Sequence, residues 1–423
     1  MTTKAPLVVI VGGGFAGLAA AKELKRSPVN ILLIDRSNHH VFQPLLYQVA
    51  TSVLAPGQIA SPIRSLLADQ TNTSVMLGCV TGVDAVSKQV IVDADDKTGI
   101  RIDYDYLILA TGATHSYFGH NEFAPFAPGL KNLSDAESLR NRLLEVFEKA
   151  EIDNDPDRRK ALMTFVMVGA GPTGVEMASA IAVMTQTTFR KDFRRIDPKS
   201  AHIVLADMGT RPLPTFSEKL SEAARQQLVS LGIDIRLGMP VQSIDADGVV
   251  IGSERIQAKT VVWTAGVAPS PAGKWLGCTV DRAGRVRILP DLSVPDHPDI
   301  FVGGDTASLD QDGKPLPGVA QVAMQQGRYA AKCIFRKEIG HPPLPPFRYF
   351  DKGNLAVVGK NFAVLQSAGV QLSGFMAWLV WALIHIQFLA ESSLRFSVFM
   401  QWVWTYLSSK RGARLIIRQR SGS

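Results

Sequence analysis

A chain of 423 residues, 46 % hydrophobic and 20 % charged, is long enough for two or three domains and too apolar for extended disorder. Its formal charge of +7 fits an anionic membrane surface, because no zinc-finger or RNA-binding motif directs that charge to nucleic acid. Three scattered cysteines, Cys79, Cys278 and Cys333, with no C-x-x-C, fit a reducing compartment and exclude both a disulfide framework and dithiol reductase chemistry.

The first element is "LVVIVGGGFAGLAAAKEL", Leu7 to Leu24. Gly12, Gly13 and Gly14 interrupt what would otherwise pass for a signal-peptide core, and Glu23, Lys25 and Arg26 continue an amphipathic helix. The spacing Gly12-x-Gly14-x-x-Gly17 predicts a strand, a tight turn and a helix. Gly12 permits the turn, Gly14 lets backbone approach a pyrophosphate, and Gly17 lets helix and strand pack closely. The next strand, "VNILLIDR", carries Asp35, 23 residues beyond Gly12, where a carboxylate can bind ribose hydroxyls. His39 and His40 precede a loop and read as polar surface or loop anchoring. A further strand, "YDYLILATGA", runs into Thr111 and Gly112.

"FVMVGAGPTGVEMASAI", Phe165 to Ile181, repeats the first pattern with Gly169, Gly171 and Gly174. Its second strand, "AHIVLAD", ends in Asp207, and the longer gap is filled by the polar segment Thr187 to Lys199, read as helix plus loop. Asp207 favours a free 2′-hydroxyl and hence NADH over NADPH. Arg211 either accepts a 2′-phosphate or is a solvated loop residue. Glu176, two residues past the third glycine, either stabilises the helix N-terminus or faces the nicotinamide. "TVVWTAGVAPS" repeats the strand-then-TxG pattern of the Thr111 segment, and "DIFVGGDTA" supplies a strand ending in Gly304-Asp305. The order predicts one dinucleotide domain inserted into another, related by duplication. The first comprises residues 1–115 and 281–340, the second residues 161–280, with 116–160 as a connecting segment and 341–423 as a C-terminal region.

Gly318 to Ile334 reads as a helix, and "GHPPLPPF" as a linker. A strand pair turning near Gly353-Asn354 follows. The uninterrupted apolar run Phe375 to Ile384 is too short to span a bilayer, which needs ~20 apolar residues. Trp378, Trp381, Trp402 and Trp404 suit an interface, and Arg395, Lys410, Arg411, Arg414, Arg418 and Arg420 supply positive charge with no acid among them. The expectation is an amphipathic helical segment lying on the membrane. The alternative is that it packs into the core or a dimer interface.

Two nested dinucleotide folds with these linking motifs resemble the two-dinucleotide-binding-domain flavoproteins, an α/β class with two Rossmann-like domains arranged as in pyridine nucleotide-disulfide reductases. "HHVFQPLLYQVATSVLAPGQIASPIR", "AQVAMQQG", "DKGNLAVVGKNFAV" and "AWLVWALIH" resemble, more closely, type II (alternative, non-proton-pumping) NADH:quinone oxidoreductases, over Leu7 to about Ile417. That resemblance implies non-covalent FAD held by Gly12, Gly14, Gly17, Asp35, Thr111, Gly112 and Asp305. It implies NADH as substrate at Gly169, Gly171, Gly174, Glu176 and Asp207, and a membrane quinone beside Gln321 and Gln325. It implies hydride transfer through the flavin and a homodimer; no metal-ligand spacing appears, and the C-terminal residues predict peripheral attachment to the cytoplasmic face of the cell membrane. The competing readings are another FAD-dependent pyridine-nucleotide reductase and a regulatory NAD(H)-binding flavoprotein with incidental turnover. A sulfide:quinone enzyme would need paired cysteines.

Overall fold

The computed structural model describes residues 5–416. The chain forms two compact units, and the first is interrupted twice by the second. Unit 1 comprises the residues up to Val41, Ser61–Thr114 and Val267–Asp351; unit 2 comprises Phe42–Ala60, His115–Gly266 and the residues from Lys352 onward.

Unit 1 is built on a six-stranded sheet in the order Ser293–Val294, His297–Val302, Tyr106–Leu109, Leu7–Val11, Asn30–Asp35, Thr73–Leu77. Every pairing except that of Ser293–Val294 is parallel, so the strands read as continuous apolar runs covered on both faces. Val8, Val9, Ile10, Leu33 and Leu107 are wholly inaccessible to solvent. The helix Phe15–Glu23 buries Ala16, Gly17, Leu18, Ala19, Ala20 and Ala21. These small residues let the helix Ala320–Glu338 lie close against it; a Cβ on Gly327 would stand 2.1 Å from the Ala16 carbonyl oxygen.

Unit 2 has a four-stranded parallel sheet, ordered Asp234–Leu237, His202–Asp207, Thr164–Val168, Thr260–Trp263. The segment 116–160 belongs to this unit and contains the 20-residue helix Leu133–Ile152. Asn132 and Asp135 close a capping box at its start: the Asp135 N–H donates to Asn132 Oδ1 at 2.9 Å and the Asn132 N–H to Asp135 Oδ2 at 3.1 Å. Phe147 anchors that helix by packing on Phe165, Phe189 and Phe193.

The C-terminal part of unit 2 differs from the sequence expectation. Three antiparallel strands form, Asn354–Val357, Ala363–Ser367 and Val370–Gly374, rather than a pair turning at Gly353-Asn354. The first turn lies at Val358–Phe362, where Gly359 and Asn361 both take positive φ. Two helices follow, Phe375–Phe388 and Ser392–Ser408. Among the described residues no helix is long and apolar enough to cross a membrane. Arg418 and Arg420 lie outside the described residues.

Candidate functional site

The two glycine turns are built alike. Gly12 has φ +102° and donates its N–H to the Ile34 carbonyl at 2.8 Å; a Cβ there would meet the Ala110 carbonyl oxygen at 2.3 Å. A Cβ on Gly17 would lie 1.8 Å from the Gly12 oxygen, so only glycine lets helix and strand touch. A Cβ on Gly14 would meet nothing within 4 Å: this backbone faces open space. In unit 2, Gly169 has φ +111°, Gly174 is as crowded as Gly17, and Gly171 is as open as Gly14. An open backbone at a helix N-terminus fits a dinucleotide pyrophosphate in each unit.

The acids at the ends of the second strands do a second job. Asp35 accepts the Gly13 N–H through Oδ2 at 2.5 Å and the Ser37 N–H through Oδ1 at 2.6 Å. Asp207 accepts from Ala170 and Gly209, each at 2.6 Å. Each carboxylate therefore clamps its own glycine turn. The threonines match less well. Thr264 donates to the glycine turn of its unit, reaching the Val168 and Gly169 carbonyls at 2.9 Å. Thr111 instead joins a hydroxyl cluster with Ser270 at 2.5 Å and Thr306 at 3.1 Å, and Gly112 has φ +67°.

Asp305 sits in the short turn Gly304–Thr306. That turn is held by buried Gln326, which accepts the Gly304 N–H at 2.8 Å and which no motif spacing singles out. His40 anchors the first glycine turn from inside the fold and not from the surface. It is 7 % exposed, its Nδ1 lies 2.9 Å from the Gly13 carbonyl oxygen, and its ring meets Phe15 edge-on. Burial holds its pKa below the ordinary value, which keeps it neutral as a donor to that carbonyl.

The two glutamines of the long helix part company. Gln325 exchanges two bonds with the Phe350 backbone, both 2.9 Å, which occupy its amide oxygen and nitrogen. Gln321 keeps a buried Oε1 with no hydrogen-bond partner among the described residues. Arg211 donates one bond to the Pro214 carbonyl at 3.1 Å and keeps a buried Nη1 without a partner among the described residues.

Glu176 lies in the second turn of the helix Pro172–Val183, past the N-terminal groups a capping carboxylate would serve. It lines a cavity of about 120 Å³ together with Tyr47, Gln48, Trp381, Trp402 and Arg411. Its one backbone bond, from the Val357 N–H, is long at 3.4 Å. Desolvation pushes its carboxyl up to about 8, and that weak bond offsets little of it. At neutral pH this side chain holds a proton.

A family model described as pyridine nucleotide-disulphide oxidoreductase matches residues 6–327. A Mycobacterium tuberculosis protein named type II NADH:quinone oxidoreductase Ndh is 44 % identical, over 98 % of this chain and 91 % of that protein. The chain belongs to the type II NADH:quinone oxidoreductase family. A second protein of that organism, type II NADH:quinone oxidoreductase NdhA, is 41 % identical over 97 % of this chain and 89 % of its own length. The solved structure of NDH2 from Plasmodium falciparum in complex with NADH shares the fold, with a TM-score of 0.88 at 19 % identity, covering 98 % of this chain and 100 % of that one.

Within this member of the family, Tyr47 and Gln48 stand inside the motif His39 to Arg64 and Arg411 in the basic tail, and nothing in the sequence brings the three to one cavity. Each becomes notable only through burial: they are 5 %, 6 % and 5 % exposed. The tryptophans divide similarly. Trp404 is 58 % exposed, whereas Trp381 is buried and Trp402 turns its indole N–H to Gln48 at 2.7 Å.

Proposed function

We propose that this protein oxidises NADH and passes two electrons through non-covalent FAD to a membrane quinone, without pumping protons. The observation that carries this reading is the duplicated turn: two acid-clamped glycine turns in one chain, each presenting open backbone where a pyrophosphate would lie. FAD, when bound, supplies a hydride acceptor and a two-electron donor.

The chain's own residues bind and orient. Gly12, Gly14 and Gly17 with Asp35 hold the pyrophosphate and ribose of FAD, and Thr111, Gly112 and Asp305 line the rest of its length. Gly169, Gly171, Gly174 and Asp207 hold NADH, and Glu176 stands in the same unit as a carboxyl that is protonated at neutral pH. Gln321 and Gln325 face the quinone, and among the described residues Gln321 keeps an amide oxygen without a partner while Gln325 is oriented by its two bonds to Phe350.

The protein lies on the membrane through its last two helices. Phe375, Met376, Leu383, Phe396, Phe399, Trp404 and Leu407 are each at least 47 % exposed, an apolar face too large to leave in water. Cytoplasmic attachment and a homodimer complete the reading; protease access in oriented vesicles and sedimentation of the detergent-solubilised protein test them.

The central test is stopped-flow on the purified yellow protein without oxygen. NADH should bleach the flavin, and a short-chain quinone should restore its colour. A flavin that NADH reduces and quinone leaves reduced overturns the quinone assignment, and a colourless protein overturns the whole reading.

A further inference from the structure

Arg411 lies three residues past the helix Ser392–Ser408, in a basic tail where sequence places a membrane-facing cation. It points inward instead. Its Nη1 donates to the Thr51 carbonyl at 2.5 Å and its Nη2 to the Ala180 carbonyl at 3.0 Å. Among the described residues it makes no ion pair with a carboxylate. Burying a guanidinium without a counter-ion is costly, so something in the fold must favour it there. Thr51 is the C-cap of the helix Leu46–Ala50, and Ala180 lies in the last α-helical turn of Pro172–Val183. The Thr51 carbonyl sits at the negative end of its helix, where a cation is favoured, while the Ala180 carbonyl, which also accepts the Met184 N–H, lies inside a helix that runs on past Val183. Just beyond Ala180 the chain enters a π-helical turn, Met184–Thr188, whose Thr187 and Thr188 line the cavity that holds Glu176.

The segment leading to Arg411 is fastened along the same wall. Trp402 donates to Gln48, and Gln48 in turn donates to the Tyr47 hydroxyl at 3.0 Å. Lys360 donates to the Tyr406 carbonyl at 3.1 Å and Thr188 to the Ser409 carbonyl at 3.2 Å. The opposite face of this helix carries Phe396, Phe399, Trp404 and Leu407, all exposed. One helix thus presents a bare apolar side outward and one wall of the Glu176 cavity inward.

We propose that the segment from Trp402 to Arg411 is a strap across the Glu176 cavity, that Arg411 is the bolt holding it shut, and that Arg411 is thereby a positioning residue for electron delivery to quinone. Membrane attachment and cavity geometry are joined through one helix, so the acceptor reaches an ordered site only while the bolt is home. This rests on the proposed function for the quinone step, and on the exposed face being the membrane face.

The test compares wild type, Arg411→Ala and Arg411→Lys as FAD-loaded, vesicle-bound protein. Flavin reoxidation by a short-chain quinone should slow about tenfold or more in Arg411→Ala. Flavin reduction by NADH and co-sedimentation with anionic vesicles should stay within about twofold, because the glycine turns and the apolar face are untouched. Arg411→Lys keeps the charge but supplies one compact ammonium in place of a fork spanning two carbonyls, and should fall between. Millimolar guanidinium should restore much of the lost rate in Arg411→Ala, whereas urea, its neutral isostere, should not. An unchanged reoxidation rate, an equal loss in both half-reactions, or rescue by urea as good as by guanidinium overturns the strap. Where Arg411→Ala yields no folded protein, Arg411→Lys with wild-type reoxidation overturns it equally. A wild-type protein that quinone fails to reoxidise defeats the functional reading instead, so the two failures are distinguishable.

Discussion

Replacing Glu176 with glutamine tests the electrostatics of its cavity. The folded carboxyl titrates near 8 against an ordinary 4.5, so between those values the folded chain holds a proton that the unfolded chain releases. Stability from this group is therefore fully present below pH 4.5 and is lost as pH rises toward 8. From pH 5 to pH 7 the loss is two pH units at about 1.36 kcal/mol each, or about 2.7 kcal/mol. Glu176 retains some exposure toward the cavity, and screening there reduces the value to about 1.3 kcal/mol. Glu176→Gln keeps the size and has no proton to lose. Its melting temperature should rise relative to wild type by about 3–5 °C on going from pH 5 to pH 7, at ~2–4 °C per kcal/mol for a unit of this size. Scanning fluorimetry on FAD-loaded protein in matched-ionic-strength buffers reads this directly. Parallel pH profiles for the two proteins would refute the desolvated, protonated carboxyl, and a relative fall would reverse its sign.

Other substitutions probe the turns and the glutamines. Gly17→Ala should abolish FAD retention or folding, since its Cβ would stand 1.8 Å from a backbone oxygen, while Gly14→Ala should fold and bind FAD more weakly; flavin recovery on gel filtration separates them. Gln326→Leu leaves the Gly304 N–H without its acceptor and should weaken FAD binding by about 1–3 kcal/mol, measured by flavin titration of the apoprotein. Asp207→Ala frees the Ala170 and Gly209 N–H groups and should raise KM for NADH at least about tenfold while narrowing the preference over NADPH, as steady-state kinetics will report. Gln321→Ala should slow flavin reoxidation with little change in melting temperature, whereas Gln325→Ala should lower the melting temperature through loss of its pair of bonds to Phe350.

The fold class was legible because its signals are local. A strand, a glycine turn, a helix and a second strand ending in an acid follow one another from Leu7 to Asp35, and the first and third glycines of each turn answer a steric demand from nearby backbone. Continuous apolar runs such as Leu7–Val11 and Thr164–Val168 announced buried parallel strands for the same reason. The shortness of the apolar run at Phe375 likewise argued against a spanning helix without any tertiary information. The three-stranded sheet after Asn354 was missed because Gly353 and Gly359 both punctuate the segment, and only cross-strand pairing selects between them.

Side-chain destinations were decided by tertiary structure alone. Gln321 and Gln325 sit four residues apart on one helix, yet a backbone segment at Phe350 claims one and leaves the other's amide oxygen unpaired. His40 and His39 are adjacent, yet only His40 meets the Gly13 carbonyl. Arg411 and Arg414 belong to one basic tail, but Arg414 pairs with Asp192 near the surface while Arg411 reaches inward to the carbonyls of Thr51, at a helix end, and Ala180, inside a helix. Those carbonyls lie 360 and 231 residues away in the chain, so no sequence window contains the field that buries this charge. Periodicity and turn chemistry fix elements, since both act over a few residues; the burial of a charge depends on which distant dipoles the packed fold gathers around it.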